Sequence, residues 1–214
     1  MRSSILWDVD TQIDFVHADG KLAVPGAEEA VPAMRLLVEA ARDAGIPHVA
    51  SADDHELTDA EISEEPNFET TYPPHCLRGT RGARKIDETD QVDPVPIGLE
   101  PLPEQFLRGR EFLLLKKHFD VFTNPNAERL LELLDPDDVI LFGVATDVCD
   151  DAAIRGLLAR GRRVAFVEDA ARGLDEARVE RAKAVWHEGG VEFVTAADAI
   201  RRWSRNAEPL PMSP

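Results

Sequence analysis

Short apolar runs alternate with longer amphipathic stretches along most of the chain. Residues 4–9 (SILWDV) have the length and composition of a strand, while residues 28–44 carry apolar positions at helical spacing and stop at Gly45. Residues 46–51 (IPHVAS) predict a second strand. Residues 112–115 and 139–144 are apolar throughout, the pattern of strands covered on both faces. Residues 147–160 predict a helix ended by Gly161, residues 164–167 a strand, residues 175–188 a helix ended by Gly189 and Gly190, and residues 191–194 a last strand before a final helix over 196–205. This alternation predicts an α/β fold, a parallel sheet between two helix layers. In such sheets ligands bind beyond the carboxyl ends of the strands, which directs attention to the residues just after each strand.

Two stretches break the pattern. Residues 54–109 read as a long irregular segment containing Pro66, Pro73, Pro74, Pro94, Pro96, Pro101 and Pro103, and a loop of that length inside a domain is usually functional or disordered. The tail over 206–214 (NAEPLPMSP) is expected to fray. No repeat or linker marks a second domain, so residues 1–205 are expected to form one. A domain of this size buries roughly 70% of its unfolded surface and needs no disulfide to hold it.

The acidic balance narrows the function classes. With 24 basic and 41 acidic residues the formal charge is −17, which argues against nucleic acid and anionic membranes as partners. No apolar run approaches the roughly 20 residues of a membrane span. Residues 1–10 lack the basic-then-apolar pattern of a secretory leader, so a cytoplasmic location is expected. Two cysteines are too few for a disulfide framework, and a lone thiol near acidic and basic partners is a candidate nucleophile.

Several chemically capable residues fall at predicted strand ends. Asp10 follows the first strand, where a carboxylate can act as a base or merely cap a turn. Lys116 ends the run at 112–115 and can stabilise developing negative charge; Lys117 is equally well placed, and a solvated lysine is the plainer reading of either. Cys149 lies past the strand at 139–144, near a helix N-terminus whose dipole lowers a thiol pKa and whose N–H groups can receive an oxyanion. A buried inert cysteine is the plainer reading there. Asp53, His55 and the more distant His75 are donors suited to a divalent metal, zinc first and then iron or manganese, although an Asp-x-His pair alone is a weak signal. His17, His48, His118 and His187 read as ordinary surface or core residues.

Taken together, these segments resemble the isochorismatase-like cysteine hydrolases, in their nicotinamidase branch. Asp10-Thr11-Gln12-Ile13-Asp14-Phe15 is similar to the family's opening Asp-x-Gln-x-Asp-Phe, and Gly143-Val144-Ala145-Thr146-Asp147-Val148-Cys149 to its Gly-Val-x-Thr-x-x-Cys nucleophile motif. Asp53-Asp54-His55 and Pro73-Pro74-His75-Cys76 resemble its metal-ligand segments, and Glu168-Asp169-Ala170 its Asp-Ala after the fifth strand. The resemblance implies a three-layer sandwich around a six-stranded parallel sheet and an Asp10, Lys116, Cys149 triad. Lys116 is preferred to Lys117 by the likeness of residues 116–122 to the family's Lys-x-x-Tyr-[Ser/Asp]-Ala-Phe. It further implies a cis peptide at Val144–Ala145, an oxyanion hole from the N–H groups of Ala145 and Cys149, and a metal on Asp53, His55 and His75. Phe15 and Tyr72 would pack against a flat substrate ring. A homodimer or homotetramer is the implied assembly.

The implied reaction is hydrolysis of a small amide through a thioester, with nicotinamide as the first substrate. The chain departs from the branch where its Asp-Trp-His-Pro reads Asp53-Asp54-His55-Glu56, and Tyr72 stands where Trp is common. These changes favour another small amide, ureide or lactam as the rival substrate. Two further rivals are a metal-water hydrolase in which Cys149 only packs, and a non-catalytic protein that keeps the fold.

Overall fold

The computed structural model describes residues 3–102 and 109–206. Of the tail expected to fray, all but Asn206 lies outside the described residues. The elements follow as β1 (Ser4–Val9), α1 (Ile13–Val16), α2 (Ala27–Asp43), β2 (His48–Asp53), β3 (Val95–Ile97), β4 (Glu111–Lys116), α3 (Pro125–Leu134), β5 (Asp138–Val144), α4 (Asp151–Ala159), β6 (Arg163–Arg172), α5 (Glu176–Glu188), β7 (Glu192–Val194) and α6 (Ala196–Asn206). Neighbouring strands are parallel throughout, in the order β3-β4-β2-β1-β5-β6-β7.

The sheet therefore has seven strands among the described residues, one more than the six expected. The addition is β3, from the stretch read as irregular: Val95, Pro96 and Ile97 pair with Phe112, Leu113 and Leu114 at one edge. An edge tolerates proline because its missing N–H can face away from the ladder, so the residue that disguises this strand in the sequence does not break it. β2 continues to Asp53 and β6 to Arg172, each past its predicted end. The helix predicted from residue 147 begins at Asp151, because residues Thr146–Asp150 form one wide π-type turn. α3 is absent from the predicted elements, although Asn124 caps it with Pro125 at its first position.

Alternation along β1 builds two cores. Ile5, Trp7 and Val9 face Leu130, Leu141, Ile154, Phe166 and Trp186 on the side of α3, α4 and α5. Leu6 faces Met34, Leu37, Ile140 and Trp203 on the side of α2 and α6. Trp186 is fully buried with its ring edge-on to Phe166 at 5.0 Å between centroids. Burying one such large apolar side chain contributes about 1.5–3 kcal/mol. No helix among the described residues is long and apolar enough to cross a membrane.

The chain winds outward from β1 in one direction to β2 and, from β5, in the other. Strand order reverses between β1 and β5, and a crevice opens beyond their carboxyl ends. The two strands approach closely there. Gly143 sits opposite Val9 with φ 147°, and a Cβ at that position would meet the Val9 carbonyl oxygen at 2.1 Å. Only glycine fits.

Candidate active site

The loops leaving β1, β2, β4 and β5 converge on the crevice. Asp10 follows β1 in the left-handed region, φ 49°, a conformation short polar residues tolerate best. Lys116 is the last residue of β4 and is fully buried. Its Nζ lies 2.8 Å from Asp10 Oδ2, 2.5 Å from Asp53 Oδ1 and 3.9 Å from Cys149 Sγ. Lys117 points elsewhere, with Nζ 3.0 Å from Asp59 Oδ2 and a hydrogen bond to the Asp54 carbonyl. The Val144–Ala145 peptide is cis, and the π-type turn after it carries Cys149.

Two polar side chains not picked out from the sequence fix these groups. Ser51 Oγ donates to Asp10 Oδ1 at 2.7 Å. Gln12 clamps the Asp53 backbone from both sides, accepting from its N–H at 2.7 Å and donating to its carbonyl at 2.8 Å. The other carboxylate oxygen of Asp10, Oδ2, is the one paired with Lys116 Nζ at 2.8 Å.

Burial and charge set the protonation states. Burial pushes the Cys149 thiol well above its ordinary value, with Lys116 opposing and Asp10 reinforcing the rise. Burial also lifts the Asp10 carboxyl; Lys116 resists this and the negative charge of Asp53 adds to it. For Asp53 burial works the same way but is outweighed by Lys116 and the two imidazoles, which hold it well below the usual carboxylate range. Lys116 is the mirror case, since burial disfavours its charge but Asp10 and Asp53 keep it well above the usual lysine range.

Beside this trio lies a second cluster. Asp53, His55, Glu61 and His75 are buried and each offers one donor atom, all within 4.8 Å of one another. His55 Nε2 and His75 Nε2 lie 3.6 and 3.4 Å from Asp53 Oδ2. The Nδ1 atoms face acceptors outside, Asp59 Oδ2 at 3.4 Å and the Pro73 carbonyl at 2.7 Å, which orients both rings inward. His55 Nε2 is buried with no hydrogen-bond partner. Two imidazoles and two carboxylates around an orphaned imidazole nitrogen fit a divalent cation. Glu61 is absent from the sequence-derived ligand set, because Glu56, Asp59, Glu64 and Glu65 surround it and nothing in the pattern singles it out.

A narrow apolar pocket joins the two clusters. Phe15, Tyr72, Phe119, Val148 and Leu174 line it together with Asp53, His75 and Cys149, and they leave only a tight cleft between them. Phe15 and Tyr72 lie 5.2 and 6.3 Å from the His75 ring, measured between centroids. Burial pushes the Tyr72 phenol up to about 12.

Residues 4–198 match the Isochorismatase domain family. The chain belongs to the isochorismatase family. It is 26% identical to the nicotinamidase of Saccharomyces cerevisiae over 190 residues, covering 78% of this chain and 87% of the yeast protein. Among solved structures, the N-carbamoylsarcosine amidase of Thermoplasma acidophilum is 25% identical with a TM-score of 0.71, covering 91% of this chain and 96% of that one. The zinc-bound pyrazinamidase of Pyrococcus horikoshii shares the fold at 24% identity and a TM-score of 0.71, over 90% of this chain and 99% of that one.

Proposed function

We propose that this isochorismatase-family chain is an amide hydrolase working through a thioester on Cys149. The observation that carries the reading is the buried Lys116 ammonium between Asp10, Asp53 and the Cys149 sulfur at the sheet's switch point. Cys149 rests as a thiol. Asp10 takes the thiol proton as sulfur attacks the amide carbon. Lys116 holds the charge of Asp10 during this step and that of the thiolate as it forms. The N–H groups of Ala145 and Cys149 receive the oxyanion. Asp10 returns its proton to the leaving nitrogen, ammonia departs, and water then cleaves the thioester with Asp10 again as base, releasing the carboxylic acid and restoring the thiol.

A divalent metal on Asp53, His55, Glu61 and His75, zinc first and then iron or manganese, would supply a Lewis-acid contact that orients a donor atom of the substrate. That donor set beside a pocket walled by Phe15 and Tyr72 makes nicotinamide the first substrate to try. A second reading, another small amide or ureide, is favoured by the likeness to N-carbamoylsarcosine amidase and by Asp54 and Glu56 in the metal segment.

Ammonia release from nicotinamide and from a panel of small amides and ureides, measured beside Cys149→Ala and metal-stripped protein, tests both. Release from nicotinamide that both treatments abolish supports the first reading. Release from the panel alone moves the substrate to the second. Turnover that survives Cys149→Ala but not chelation overturns the thioester mechanism in favour of metal-water hydrolysis.

A further inference from the structure

The two segments that carry the metal donors meet edge to edge. His55 N–H donates to the Cys76 carbonyl at 3.1 Å and Arg78 N–H to the His55 carbonyl at 2.9 Å, a single parallel bridge. Extended backbone alternates its side chains. His55 accordingly turns inward and is fully buried, while Asp54 and Glu56 on either side of it face outward. Arg78 lies over them. Its Nε donates to Asp54 Oδ1 and Oδ2 at 2.9 and 3.0 Å, its Nη2 to Asp54 Oδ2 at 2.5 Å, and its Nη1 to Glu56 Oε1 at 2.5 Å.

One planar guanidinium thus spans both acids next to His55, at the positions where the chain departs from Asp-Trp-His-Pro. We infer that Arg78 is a positioning residue, an ionic strap that fixes the His55 segment to the His75 segment and thereby slows loss of the metal. The inference rests on the reading of Asp53, His55, Glu61 and His75 as metal donors. The physical case is geometric: the fork of an arginine locks two carboxylates in one plane, which a point-charge lysine cannot do. Neither Asp54 nor Glu56 lines the pocket, so their charges are not spent on its walls. What they restrain is the peptide on both sides of His55. An ion-pair network that is partly exposed is also screened by salt, so this strap makes metal retention depend on ionic strength.

The test loads the full chain with zinc and follows its transfer to an excess of a colorimetric chelator, with no substrate present. Arg78→Ala is expected to lose zinc about fivefold faster than wild type, the scale of one partly exposed ion-pair network. Arg78→Lys should recover only part of this. Raising sodium chloride to about 1 M, where the screening length falls to about 3 Å, should speed loss from wild type while leaving Arg78→Ala nearly unchanged. Asp54→Asn with Glu56→Gln should behave like Arg78→Ala. Equal release from wild type and Arg78→Ala with equal salt responses overturns the strap while the metal reading stands. Wild-type protein that takes up no zinc, iron or manganese overturns the metal reading itself, and the strap with it. If Arg78→Ala folds poorly, Asp54→Asn with Glu56→Gln supplies the same comparison with wild type at low and high salt.

Discussion

Asp8 and Asp10 sit two residues apart at the end of the same central strand, both fully buried and each with a lysine nitrogen 2.8 Å away. Their surroundings give them opposite characters. Asp8 has Lys85 to itself, with His48 Nε2 at 3.4 Å and a 2.9 Å hydrogen bond from Thr11 Oγ1. Burial raises its carboxyl, but Lys85 and His48 outweigh burial and hold it below its ordinary value. Asp10 shares its lysine with Asp53 and Cys149, so the same burial wins and its carboxyl is raised. An ion pair with a private counter-ion is a structural tie. One whose counter-ion is shared with a second carboxylate leaves a more basic carboxyl, as a proton acceptor requires.

The largest effects should separate the two carboxylates. Cys149→Ala is expected to lower amide hydrolysis by about 10⁴-fold or more and Asp10→Asn by about 10²–10⁴-fold, with the melting temperature little changed. Asp8→Asn should do the reverse, leaving the turnover of folded protein within a few-fold of wild type. It should cost about 3–5 kcal/mol in denaturant unfolding, because Lys85 stays buried without its countercharge. A folded Asp8→Asn protein without turnover would break the comparison.

The pH dependence of stability sharpens it. The folded carboxyl of Asp8 lies below its ordinary 3.8, so its stabilisation is complete above that pH and is lost as pH falls through the folded value. Melting curves between about pH 5 and 2 should show an acid-side loss in wild type that is smaller in Asp8→Asn.

Asp150 extends the series in the other direction. It follows the nucleophile, is fully buried, and neither of its oxygens has an aligned hydrogen bond. Burial first, then Asp10, push its carboxyl well above 3.8; nearby Thr146 opposes this only weakly. With a raised folded value, its stabilising contribution is complete below pH 3.8 and is lost as pH rises. Asp150→Asn is therefore expected to stabilise the fold at neutral pH by about 1–3 kcal/mol, and by less near pH 4. Equal gains at both pH values would mean that Asp150 does not titrate as its burial requires.

The smallest change concerns orientation alone. Ser51→Ala removes the 2.7 Å hydrogen bond to Asp10 Oδ1 and should lower kcat/KM by about tenfold without altering KM for the same amide. A rise in KM with unchanged kcat would assign Ser51 to binding.

Much of this molecule is legible in its order of residues. Parallel strands are written as continuous apolar runs and amphipathic helices as 3.6-residue spacing, because each buries a face that repeats locally. The placement of Asp10, Lys116 and Cys149 at strand ends follows from that frame, since an open parallel sheet gathers its strand ends into one crevice. The edge strand β3 is hidden by Pro96, which only its pairing with β4 shows to be harmless. Position alone left Lys116 and Lys117 equal; family likeness favoured Lys116, and in the fold its nitrogen lies against Asp10 while that of Lys117 lies against Asp59. Glu61 among its acidic neighbours, the private lysine of Asp8, the shared lysine of Asp10 and the reach of Arg78 depend on contacts between residues far apart in the chain. Local pattern determines which faces are buried. Which charge meets which across that burial is decided by folding, because desolvation and Coulomb energy depend on three-dimensional distance rather than on position in the sequence.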